Sequence, residues 1–171
     1  MTRYVSLLTR CAGILALAAL ATATSAQEQI SQDTQNRLLQ THSDYFTYRE
    51  TAAFEAAYAL LSEAQQQQIS LADFSASWRA FHDRYGRLTA LETRQVTWSR
   101  NPAGLPRGLY ATIDYRGVFN DLPFFCGSLI WLVGDAASRI VREDVKIYQP
   151  PADSDLTPAA RAAIFRELSC N

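Results

Sequence analysis

The stretch Leu109–Tyr148 constrains the fold most, because it reads as three consecutive antiparallel strands, Leu109–Phe119, Phe124–Gly134 and Arg139–Tyr148. In the first, Leu109, Ala111, Ile113, Tyr115, Gly117 and Phe119 alternate with Tyr110, Thr112, Asp114 and Arg116. Side chains on a strand repeat every second residue, so the first set shares one sheet face and the second set the other. From Phe124 to Val133 the middle strand is apolar on both faces, the pattern of a strand covered on two sides. Short connections at Asp121–Pro123 and Asp135–Ser138 make these strands a meander, and Leu88–Ser99 adds a less regular strand before them.

Everything upstream reads as helical. In Ile30–Tyr48, the positions Leu38, Leu39, His42, Tyr45 and Phe46 recur at helical spacing. Thr51–Leu61 is a second, alanine-rich helix with Phe54, Tyr58 and Leu61 as its stripe, and Gln65–Gln68 reads as its solvated end or a linker. The third helix starts at Ser70, whose hydroxyl is placed to cap the amide of Asp73 while Ile69 staples onto Phe74. Phe74, Trp78, Phe81 and Tyr85 then form one aromatic face that reads as core, and Gly86 ends the helix. Thr157-Pro158 opens a last helix, Ala159–Leu168. Three helices, four strands and a terminal helix predict an α+β fold. Its N-terminal helices pack on one face of a curved four-stranded antiparallel sheet, with a short C-terminal helix.

The first residues stand apart. Arg3 and Arg10 flank the start of an apolar run, Ala12–Ala21, followed by the small residues of Thr22–Ala26. That is the pattern of a secretory signal peptide, residues 1–26, and the run is too short for the ~20 residues of a membrane span. The expectation is export to the periplasm or beyond, with residues 27–171 as one domain. The whole chain has 16 basic and 17 acidic residues, and losing Arg3 and Arg10 leaves 14 against 17. A net charge of −3 speaks against a nucleic-acid partner, which needs a basic face. After Cys11 leaves with the leader, Cys126 and Cys170 remain, an even pair that reads as one disulfide in an oxidising compartment.

Helices followed by a curved meander resemble the nuclear transport factor 2-like superfamily, the cystatin-like cone fold. Phe54–Ser62 resembles its second-helix motif. Gly104-x-Pro106-x-Gly108-x-Tyr110 resembles the hairpin entry of secreted bacterial families within it that are named only as domains of unknown function. The resemblance implies a pocket inside the cone, and enzymes of the superfamily place an aspartate, a histidine or a tyrosine–carboxylate pair there.

Few residues of this chain answer that description. Asp114 alternates onto the polar face of its strand. Glu143 shares a face with Val141, Val145 and Ile147, so it is either a desolvated acid–base group or the partner of an arginine. His42 and His82 sit on helical stripes, where packed histidines are commoner than proton carriers. Two distant histidines without clustered carboxylates give no metal site, and no cofactor motif is present. Tyr45, Tyr58, Trp78, Tyr115 and Trp131 are the expected pocket residues, and Tyr148 can line the pocket as well. The reading that follows is an exported, non-catalytic module taking an apolar small molecule or a protein partner. A homodimer through the sheet face is a further expectation. The alternative is a small isomerase- or dehydratase-type enzyme using Glu143, favoured if a second polar group reaches that carboxylate.

Overall fold

The computed structural model describes residues 30–151, 154 and 156–170, so the leader read in residues 1–26 lies outside it. Helices α1 (Gln32–Glu50), α2 (Phe54–Ala59), α3 (Glu63–Gln68) and α4 (Leu71–Tyr85) precede strands β1 (Leu88–Arg100), β2 (Leu109–Phe119), β3 (Leu122–Val133) and β4 (Arg139–Tyr148). Helix α5 (Pro158–Glu167) follows. The strands form one antiparallel sheet in the order β1-β2-β3-β4, a simple open meander. No helix among the described residues is long and apolar enough to cross a membrane.

Caps set the helix starts. Ser31, Ser62, Ser70 and Thr157 each accept a hydrogen bond from the amide three residues on, which satisfies one otherwise orphaned donor per helix. The cap at Ser62 corrects the reading of Gln65–Gln68 as the solvated end of the second helix or a linker: those glutamines belong to α3, a helix of their own. Ala52, with φ at +58°, breaks the chain between α1 and α2, so α2 begins later than Thr51. Gly86 ends α4 at φ +75°, where a β-carbon would also lie 2.7 Å from Cβ of Asn120.

The odd-numbered face of β2 is the core face, as its alternation indicates: Ala111, Ile113, Tyr115 and Phe119 are buried with Phe125, Leu129 and Trp131 of β3. Leu38, Tyr45 and Phe46 of α1, Phe54 of α2 and Phe74 of α4 close over them. The opposite face of β3 is covered as well, by α5. Phe165 packs edge-on against Phe124 at 5.2 Å between centroids, and Arg116 lies over the Phe165 ring. The sulfurs of Cys126 and Cys170 are at disulfide distance, with Cα atoms 6.2 Å apart. The helices are therefore not confined to one face. An apolar two-sided β3 requires a cover on each side, and the terminal helix supplies the second.

One irregularity positions the site. Along β4, Ile140 pairs with Trp131 and Arg142 with Ile130, so Val141 is an extra residue. This bulge resets the alternation. Ile140 and Glu143 both face the core side, opposite Trp131 and Leu129. Ile140, not Val141, therefore accompanies Glu143, while Val145 and Ile147 are each 41% exposed toward the strand's end. The α2–α3 connection seals the bulged edge. The Ser62 amide donates to the Ile140 carbonyl, the Ile140 amide to Leu60, and Gln65 Nε2 to Val141, at 2.8, 2.8 and 3.0 Å.

Candidate functional site

Between α4, the α2–α3 connection and β4 lies a pocket of about 290 Å3. Leu61, Ile69, Phe74, Trp78, Phe81 and Ile140 supply its apolar wall, Gln65 and Ser77 neutral polar groups, and Tyr45 and Glu143 one polar end. The aromatic face of α4 thus serves two purposes. Phe74 and Tyr85 are buried in the core, Trp78 and Phe81 are partly buried, and Phe74, Trp78 and Phe81 all line the cavity.

Among the described residues, three donors hold Glu143. Tyr45 Oη donates to Oε2 at 2.8 Å, while Arg49 Nη1 and Tyr115 Oη donate to Oε1 at 2.9 and 3.2 Å. Arg49 is wholly buried and the Glu143 side chain is 18% exposed. The guanidinium stacks on Trp78, 3.1 Å from the ring centroid, with Phe46 and Tyr45 rings at 4.8 and 4.9 Å. Burial first, and then the negative charge of Glu143, push the Tyr45 and Tyr115 phenols well above their usual value, so both stay protonated as donors. Gly127 makes room for this arrangement, since a β-carbon there would lie 2.8 Å from Tyr115 Oη and 2.1 Å from the Asp144 carbonyl.

The two outcomes posed for Glu143 occur together: a tyrosine within hydrogen-bond reach and an arginine partner. A carboxylate offers about four lone-pair positions. Three are taken by protein donors, which leaves one on Oε2. Every donor is aimed at the carboxylate, not at a place where charge could develop on a substrate, as electrostatic catalysis would require.

The other residues singled out from the sequence are distributed differently. Tyr45, Trp78 and Glu143 line the pocket. Tyr115 reaches Glu143 from within the core, 1% exposed. Trp131 is fully buried against Tyr45 and His42, and Tyr58 donates to the carbonyls of Gln66 and Ile69; neither lines the cavity. Tyr148 rests against Phe124. His82 meets Glu50 at 3.0 Å, and His42 is buried with both ring nitrogens unpartnered among the described residues, so neither is bonded to Glu143. Asp114 faces away from the core, half-buried. No group of three potential metal ligands occurs among the described residues.

Arg49 is the residue that sequence reasoning did not single out. It continues the buried stripe Leu38, His42, Tyr45 and Phe46 by one more turn. An arginine on an apolar stripe needs an acid across the core, and that is the signal that marks it.

Residues 41–141 match the family described as Protein of unknown function (DUF4019). No curated protein matches the chain. Among solved structures the chain is similar to Bd1075 of Bdellovibrio bacteriovorus, at 11% identity and a TM-score of 0.47. That likeness covers 71% of this chain and 45% of the other, so the chain spans less than half of that structure's length.

Proposed function

Because the chain belongs to the DUF4019 family, whose members are proteins of unknown function, membership assigns no activity, and we propose from the site itself an exported, non-catalytic module that binds a small apolar ligand. The observation that carries this is the cavity beside Trp78 and Phe81, whose one carboxylate is already engaged by Tyr45, Arg49 and Tyr115. An apolar concavity with a few fixed polar groups is the usual form of a small-molecule site. The leader pattern in residues 1–26 and the Cys126–Cys170 pair support export, with residues 27–171 as the mature domain. The helix-then-meander order, with the Phe54–Ser62 and Gly104–Tyr110 stretches, supports placing it in the nuclear transport factor 2-like superfamily. The sheet offers less to a second copy, because α5 covers Phe124 and Cys126 on its outer side.

The test is titration of the mature, disulfide-bonded protein with 1-naphthol while its amide resonances are followed. Saturable shifts centred on Ile69, Trp78, Phe81 and Ile140 are expected. Ser77 is exposed at the wall, so Ser77→Trp should fill the cavity at little cost in folding and abolish the shifts. Shifts that scatter over the surface, or that survive Ser77→Trp, would overturn the reading. The contact of Tyr45 Oη with Glu143 Oε2 at 2.8 Å inside the cavity favours the second reading, a small isomerase or dehydratase using Glu143. Turnover of a hydroxy- or ketone-bearing substrate that Glu143→Gln lowers by several orders of magnitude would establish it instead.

A further inference from the structure

The polar end of the cavity restricts the chemistry of its ligand, an inference that rests on the cavity being a binding site. At that end Glu143, an acceptor, is the partly exposed group, and Tyr45 is fully buried behind it. Glu143 Oε2 has one lone-pair position left, and Tyr45 Oη has spent its proton on that same oxygen while keeping its own lone pairs. Among the described residues, no lysine, arginine or histidine lines the cavity, and Gln65 and Ser77 are neutral. Arg49 is the cation nearest to this end in the network, and its charge is matched by Glu143. The remaining Arg49 nitrogens, Nε and Nη2, are buried with no partner among the described residues, and Arg49 does not line the cavity.

We infer that the cavity takes a small uncharged amphiphile whose hydroxyl donates to Glu143 Oε2 and whose apolar body lies along Trp78, Phe81, Ile69 and Ile140. A carboxylate head would bring a second anion to the spare lone pair with no free cation to receive it. An ammonium head has the donors, but the Arg49–Glu143 pair is already balanced, so the desolvation of a full charge is not repaid there. At about 290 Å3 the cavity has room for the body of a medium-chain alcohol.

The experiment compares four probes of equal length on the mature, disulfide-bonded protein at neutral pH: 1-octanol, heptyl methyl ether, octanoate and octylamine. Amide shifts of the lining residues give each dissociation constant. The alcohol should bind about tenfold or more tightly than the ether, the worth of one hydrogen bond to a charged acceptor. It should exceed octanoate and octylamine by at least as much. In the Arg49→Met, Glu143→Leu double variant the alcohol and the ether should bind alike. If the ether equals the alcohol in the wild-type protein, the cavity binds apolar molecules but the donor requirement is wrong. If octanoate or octylamine binds as tightly as the alcohol, the charge argument is wrong. If none of the four binds, the binding-module reading falls and this inference falls with it.

Discussion

His42 shows how a single buried side chain sets a pH limit for the whole fold. It is 2% exposed, packed on Phe46, Tyr115 and Trp131, and neither ring nitrogen has a partner among the described residues. Burial, and then the positive charge of Arg49, push its pKa down to about 4. The unfolded chain takes up this proton at about 6.5, so between those values it binds more protons than the folded one. Stability from His42 is therefore complete above pH 6.5 and is lost as pH falls toward 4, by roughly 3 kcal/mol at about 1.4 kcal/mol per unit. Urea denaturation at several pH values should show this decline, and His42→Leu, which keeps an apolar filling and removes the titration, should flatten it. Parallel slopes for the two proteins between pH 6.5 and 4 would reject the assignment. Placing His42 on the inner stripe of α1 is within reach of helical spacing alone. Its lack of a partner is not, because that depends on side chains of β2 and β3 far along the chain.

Helix α5 is the element with the weakest local claim to its position. It contributes no fully buried residue of its own, and it is held by Phe165 on Phe124, by Lys146 Nζ donating to the Leu168 carbonyl at 2.7 Å, and by Cys170 at Cys126. The two cysteines are 44 residues apart, a loop for which chain entropy gives about 4 kcal/mol. The double variant Cys126→Ala, Cys170→Ala should lose up to that much by urea denaturation, and the amides of α5 should exchange far faster than those of β2. An unchanged denaturation midpoint would show that the tail is held by packing alone. Which elements exist is legible where period and cap agree, as at Ser70–Gly86 and Leu109–Phe119. Which side α5 takes is not, since alternation tells which residues share a face and not what covers it. The same blindness applies at Val141, where one inserted residue leaves the apolar pattern plausible in either register. It applies at Gln65–Gln68 too, where polar residues hide a short helix that only Ser62 and Glu63 announce.

At the scale of the whole molecule, the Glu143 cluster ties the first helix to the last strand across 94 and 98 residues of chain. Ligand anchor and structural tie are the same atoms, so their contributions have to be separated by combining substitutions. Arg49→Met removes the positive partner of a carboxylate that is 18% exposed and still keeps two phenol donors, and should cost about 3 kcal/mol. Glu143→Leu strands a guanidinium that is 0% exposed, and should cost more, toward about 5 kcal/mol. Together the two changes leave no uncompensated charge, only the Tyr45 and Tyr115 hydroxyls without an acceptor. Those hydroxyls cost about 1–3 kcal/mol each when buried and unpaired. Adding Tyr45→Phe and Tyr115→Phe removes that cost as well, so the quadruple variant should return close to wild-type stability, because apolar replacements of a buried ionic network are often neutral or stabilising. A cycle of urea denaturation curves over these variants measures the coupling directly. Single losses that simply add, with the quadruple variant the least stable of all, would mean that Arg49 and Glu143 do not act as one unit. Full recovery of stability with loss of the alcohol preference would mean that this network is retained for its ligand and not for the fold.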